Sequence, residues 1–200
     1  MEKKYIALLL INLALIFGFG SVFLLNLNYE FIIYVGVIIF FLFLVALSIQ
    51  KVSYTYAALV GLTVWSALHL AGGGVVVGDG RLYDVMLIKL SSNYPIFRYD
   101  QFVHMWGFAA STLVAFSLLR KIISFPMDFS IPLNIVLIMA GLGMGALNEI
   151  LEFLVDLAVP ESGVGGYLNT SLDLCADLIG AILGMVYINF RYLGAKASFT

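Results

Sequence analysis

Eight ionisable residues lie inside or at the mouths of segments apolar enough to cross a membrane: His69, Asp100, His104, Glu149, Glu152, Asp156, Asp173 and Asp177. They include six of the twelve acidic residues and both histidines, and no lysine or arginine accompanies them within those segments. A charge near a bilayer centre costs at least ~2.5–3.5 kcal/mol on insertion scales, so such residues usually face a protein interior or a water-filled cavity. Six carboxyl groups without a cation cannot all stay charged and unpaired in a low dielectric. Protons, a bound metal ion or a cationic substrate must neutralise them.

The spacings narrow the chemistry. Asp100 and His104 are i,i+4 and share a helix face. The carboxylate could orient the imidazole, both could hold one metal, or Asp100 could cap the helix start and favour its dipole. Glu149, Glu152 and Asp156 follow i, i+3, i+7 beside the amide of Asn148; Asp156 reaches towards the interface. Asp173 and Asp177 repeat the i,i+4 pattern, with Thr170 one turn further out. Carboxylates with imidazoles suit a divalent metal such as zinc, manganese or iron. His69, Asp100, His104, Asp173 and Asp177 are the candidate ligands. Glu149 and Glu152 are the candidate catalytic bases, with Glu149 the deeper, and Asn148 and Thr170 the candidate substrate contacts. The alternative is a set of protonated carboxyls linked by hydrogen bonds, serving structure or a proton relay. His69, followed by Ala71-Gly72-Gly73-Gly74, reads as a ligand beside a flexible loop or as a residue at headgroup level.

These residues need helices to position them. Of 200 residues, 62% are hydrophobic and 11% charged, and the mean hydropathy of +1.06 is that of a membrane protein. A span needs about 20 mostly apolar residues. Six segments qualify, at about 5–25, 31–49, 54–73, 100–119, 132–158 and 168–192, so the fold expected is an all-α polytopic bundle of six transmembrane helices in one domain covering residues 1–200. Lys3 and Lys4 imitate a signal-peptide start, but the apolar run is too long and no small-x-small cleavage site follows, which predicts an uncleaved helix. Between helices three and four, residues 74–99 hold apolar runs around Gly78-Asp79-Gly80, predicting a hairpin at the membrane surface; Val85–Leu90 could instead form a short interfacial helix. Glycines 141, 143 and 145 and Gly180 and Gly184 predict close packing of helices five and six. The one cysteine, Cys175, excludes an intrachain disulfide and points away from the aspartates of its helix, and a net charge of −2 without a basic cluster argues against a nucleic-acid partner.

With both termini cytoplasmic, Lys3, Lys4, Lys51, Arg120, Lys121, Arg191 and Lys196 lie inside, against Arg81, Lys89 and Arg98 outside. That orientation in the plasma membrane puts the ionisable residues of helices three to six at one extracytoplasmic level.

The motifs are also recognisable together. His69-Leu70-Ala71-Gly72-Gly73, Tyr99-Asp100 with His104 and Gly107-Phe108, Glu149-Ile150-Leu151-Glu152-Phe153, and Asn169-Thr170-Ser171-Leu172-Asp173-Leu174 with Gly180-Ala181 occur in this order. Over residues 69–181 the chain resembles the YjdF-like family of bacterial and archaeal integral membrane proteins, a family without an assigned activity. It is also similar to the VanZ-like proteins, linked to glycopeptide-antibiotic tolerance, which share the Asp-x-x-x-His element and the acidic fifth and sixth segments. It departs from their acidic loop pattern at Gly165-Gly166 and Asn169-Thr170-Ser171, and Asp177 stands where the VanZ-like pattern has asparagine.

The function expected is an intramembrane metal-dependent hydrolase of a lipid or lipid-linked substrate reached from the bilayer, with membrane lipids as its partners. A proton- or cation-coupled transporter is the alternative, and a structural or accessory membrane protein a third reading.

Overall fold

A chain in hydrocarbon must satisfy its backbone hydrogen bonds internally, which leaves long apolar runs only the helix. The computed structural model describes residues 3–123, 131–159, 162–163 and 165–193. Its helices are α1 (Lys3–Leu25), α2 (Tyr29–Val52), α3 (Tyr56–Gly74), α4 (Tyr99–Ile122), α5 (Ile131–Ala158) and α6 (Tyr167–Ile188), the last continued by a π-helical turn over Asn189–Leu193. All six are long and apolar enough to cross a membrane. Lys196, one of the residues that favour cytoplasmic termini, lies outside the described residues.

Local capping sets the helix starts. The Asn28 side chain accepts from the Phe31 N–H and that of Thr55 from the Ala58 N–H, both at 3.2 Å, so α2 begins two residues before its expected bound and α3 two after. At α4 the cap is Gln101, whose Oε1 accepts from the Arg98 N–H at 2.8 Å. Asp100, one residue earlier, is therefore released from the capping role that its position allowed.

The expected hairpin is present as β1 (Val76–Val77) and β2 (Gly80–Arg81), antiparallel, with Val76 opposite Arg81 and Val77 opposite Gly80. Gly78 takes the left-handed conformation the two-residue turn needs, at φ 61°. A 3-10 turn at Leu82–Asp84 follows. The alternative interfacial helix at Val85–Leu90 is not formed, because this backbone pairs with the strand returning to α4. Tyr99 N–H donates to Val85 O at 2.8 Å, Leu87 N–H donates to Phe97 O at 3.1 Å, and Met86 bridges Arg98.

Helix α4 is the axis of the bundle. Half of its most apolar window is buried, against 11% for α2. In a membrane, helices approach through small residues more than through a hydrophobic effect. A Cβ on Gly145 would strike the Asp177 carboxylate, and one on Gly141 would strike Ala181 and Thr112, so these two bring α5 to α6. Gly143 faces open space, and Gly180 and Gly184 lie against the backbone of Met105 and Ala109. The glycines of α6 thus seat it on α4, not on α5 as the sequence suggested. The third helix runs through Gly74, one residue past its expected bound, so the glycines beside His69 are helical where a flexible loop was expected: a Cβ at Gly72, Gly73 or Gly74 would meet the rings of Tyr83, Phe31 and Phe19. Two apolar clusters flank the axis, one around Phe23, Phe31, Tyr34 and Leu70, the other around Phe116, Leu137 and Ile188.

Candidate functional site

The C-terminal ends of α3 and α5 and the N-terminal ends of α4 and α6 meet at the end of the bundle that carries the hairpin. His104, one turn into α4 and buried, is the hub there. Its Nδ1 donates to Asp177 Oδ1 of α6 at 2.9 Å, and Glu149 Oε1 of α5 lies 3.8 Å from the same nitrogen. On the other edge of the ring, Nε2 lies 3.8 Å from both Asp100 Oδ1 and Glu152 Oε1. These longer separations exceed hydrogen-bond reach.

Amides tie the carboxylates together. Gln101 Nε2 donates to Asp173 Oδ1 at 2.6 Å, and Asn148 Nδ2 donates to Glu152 Oε1 at 2.8 Å. Asn169 donates to Asp100 Oδ2 at 3.3 Å and closely to Asp173 Oδ2. Asp173 and Asp177 are fully buried, and Glu149 is 8% exposed. Glu149 Oε1 and Asp177 Oδ2 are buried without a hydrogen-bond partner. The ligand atoms of Asp100, His104 and Asp173 lie within 4.8 Å of one another, as do those of His104, Glu149 and Glu152. Five acids and one imidazole therefore converge, with no lysine or arginine forming an ion pair to them among the described residues. This donor set fits a divalent cation.

His69 does not join this group. Its ring stacks on Trp65 at 5.2 Å between centroids and 25° between planes, and lies among Phe31, Tyr34 and Tyr83. Its Nδ1 is 2.5 Å from the Tyr83 hydroxyl. Burial, followed by the negative charges of Asp100 and Glu152, pushes the Tyr83 phenol well above its ordinary pKa, so the hydroxyl that shares this hydrogen bond with His69 keeps its proton. His69 nevertheless lines a cleft of about 80 Å³ whose walls include Asp100 and Glu152. Asn148 acts on Glu152, as described. Thr170 is half-buried in the first turn of α6, its N–H bonded to Gly166 O at 3.2 Å. Asp156 is exposed and accepts from the Ser162 hydroxyl, away from the cluster. Cys175 is exposed. Trp106 is exposed and donates to Gly61 O at 3.0 Å.

Sequence reasoning passed over several partners. Asn169 stands i,i+4 to Asp173 and Gln101 at the third position of α4, so helical spacing could have found both. Glu30 and Arg81 carry no local signal, being 51 residues apart. Arg81 Nη1 holds Glu30 at 3.1 and 3.2 Å, while Gly163 donates to Glu30 Oε2 at 2.8 Å and accepts from Arg81 Nη2 at 3.1 Å. This half-buried pair straps the hairpin to α2 and to the α5–α6 connection at the rim of the cleft.

Comparison with curated proteins and with solved structures gives no match. The sequence profile of the predicted membrane protein family DUF2238, which is the YjdF-like family, matches residues 5–193, and the chain belongs to that family.

Proposed function

We propose that the cluster around His104 holds a divalent cation and hydrolyses a lipid or lipid-linked substrate at the extracytoplasmic face. The observation that carries this reading is the two-sided setting of His104. Asp177 takes Nδ1, as an orienting carboxylate does for a metal-bound histidine, and so turns Nε2 towards Asp100 and Glu152. Bonds of roughly 2.0–2.2 Å to one ion leave the ligand atoms about 3–4 Å apart, and the 3.8 Å separation of Nε2 from Asp100 matches that spacing.

Asp100, His104 and Asp173 would be the ligands, with zinc, manganese or iron suited to two carboxylates and an imidazole. Such an ion supplies Lewis acidity to an ester or phosphoester bond. Glu152 lines the cleft and is the better-placed base, while the deeper Glu149 lies on the Asp177 side of the ring. In hydrolysis the oxygen of water joins the acyl or phosphoryl centre. Its proton passes to Glu152 and then to the leaving oxygen. The similarity to VanZ-like proteins belongs with this proposal, because it rests on the Asp100–His104 element.

Transport is the weaker reading. Beyond the cluster, Thr112, Gly141 and Ala181 are in close contact, and no acidic residue continues a path towards the other end of α4 among the described residues. The excess of lysine and arginine at the opposite end favours an extracytoplasmic cleft and cytoplasmic termini.

Elemental analysis of the detergent-purified protein tests the cation. Near one equivalent of a transition metal is expected, lost in His104→Ala and Asp100→Ala. No metal after reconstitution with zinc, manganese or iron would overturn the proposal.

A further inference from the structure

Two cavities meet at Tyr34 and His69. One is the polar cleft of about 80 Å³ beside Asp100 and Glu152. The other is a crevice of about 200 Å³ between α2 and α5, walled by Ile33, Val37, Leu151 and Leu154. Ile33 is 38% and Leu154 51% exposed, so the mouth of the crevice opens on the lateral surface of two membrane-crossing helices. Its inner end is polar: Asn148 and His69 line it, and Asn148 donates to Glu152. An apolar channel that begins in hydrocarbon and stops at polar groups has the form of an amphiphile.

The two arginines of the cleft differ in their partners. Arg81 is neutralised by Glu30. Arg98 lines the same cleft beside Asp100 and forms no ion pair among the described residues. A guanidinium with open donors at a membrane surface matches a phosphate, which it binds through paired charge-assisted hydrogen bonds.

We infer that the α2–α5 crevice seats one acyl chain of a phosphate-bearing membrane lipid, with its compact headgroup in the adjoining cleft against Arg98. This rests on the cation reading in one respect: the charge of Asp100 and Glu152 must be offset, by the cation or else by protons, before a phosphate approaches. The chain lies along Val37 and Leu151, and Tyr34 and His69 mark the boundary between chain and headgroup. The bond acted on is then one near the lipid's glycerol or phosphate.

The test is native mass spectrometry of protein taken into mild detergent from phosphatidylcholine vesicles that contain a minority of phosphatidate with the same chains. Wild-type protein should retain phosphatidate in preference to phosphatidylcholine. Arg98→Gln removes a charge-assisted hydrogen bond and should lower retention about tenfold. Val37→Phe fills the crevice and should lower it as well, with Leu151→Phe as the second filling variant if the first does not fold. Val136→Phe, on an exposed face of α5, should leave retention unchanged. The inference is overturned by equal retention of the two lipids, or by a preference that survives both filling variants. Metal content of the same samples separates the two proposals. Bound metal without crevice-dependent lipid sinks the lipid seat alone, whereas crevice-dependent phosphatidate without metal leaves the seat standing and removes the cation.

Discussion

The two histidines stand near the same end of the bundle in opposite surroundings. His104 has four carboxylates within 3.8 Å of its ring nitrogens, and His69 has aromatic rings around it and a phenol on Nδ1. The difference teaches that position along a span does not assign a role. What decides is which faces the neighbouring helices present. Helices α5 and α6 offer acids to α4, whereas α2 and the hairpin offer Phe31, Tyr34 and Tyr83 to α3.

The contrast can be broken most directly at His104. His104→Ala should abolish metal binding and destabilise the protein by about 3–5 kcal/mol, the cost of leaving buried acids without their partner; thermal unfolding in detergent with elemental analysis reads both. If metal is retained, His104 is not the hub. On the other side, Arg81→Ala should cost roughly 1–3 kcal/mol by stranding the buried Glu30. It should loosen the hairpin without loss of metal, and adding Glu30→Gln should recover part of the stability. Gly180→Ala pushes α6 off the Met105 backbone and should also cost about 1–3 kcal/mol. Unlike Arg81→Ala it should weaken metal binding, because Asp173 and Asp177 move with α6. The smallest effect is expected for Tyr83→Phe, about 0.5–1.5 kcal/mol from one hydrogen bond with metal content unchanged. Metal loss in that variant or in His69→Phe would make the two histidines one site after all.

The spans were legible because a membrane admits few alternatives to a long apolar helix. The hairpin was legible because Gly78-Asp79-Gly80 leaves a two-residue turn. Helical spacing also grouped Asp100 with His104 and Asp173 with Asp177. Nothing in the spacing revealed that His69 turns away, since that depends on Trp65, Phe31 and Tyr83 closing around it. The glycines after Ala71 suggested a flexible loop beside His69 because glycine breaks helices in water. Here the missing side chains make room for three aromatic rings, and α3 runs through them. Glu30 lies just before the expected second span, and only the tertiary fold brings Arg81 to it.

Gln101 carries a consequence for which acids of the cluster a donor reaches. Its carbonyl oxygen is committed to the Arg98 N–H, which forces its NH₂ towards Asp173 Oδ1, while Asn169 donates to Oδ2. Both oxygens of Asp173 thereby accept a hydrogen bond from an amide. Glu149 Oε1 and Asp177 Oδ2, by contrast, are buried oxygens that no donor reaches among the described residues. The start of α4 thus imposes a polarity on the cluster: a helix cap aims an amide donor at one acid and leaves oxygens of its neighbours without one.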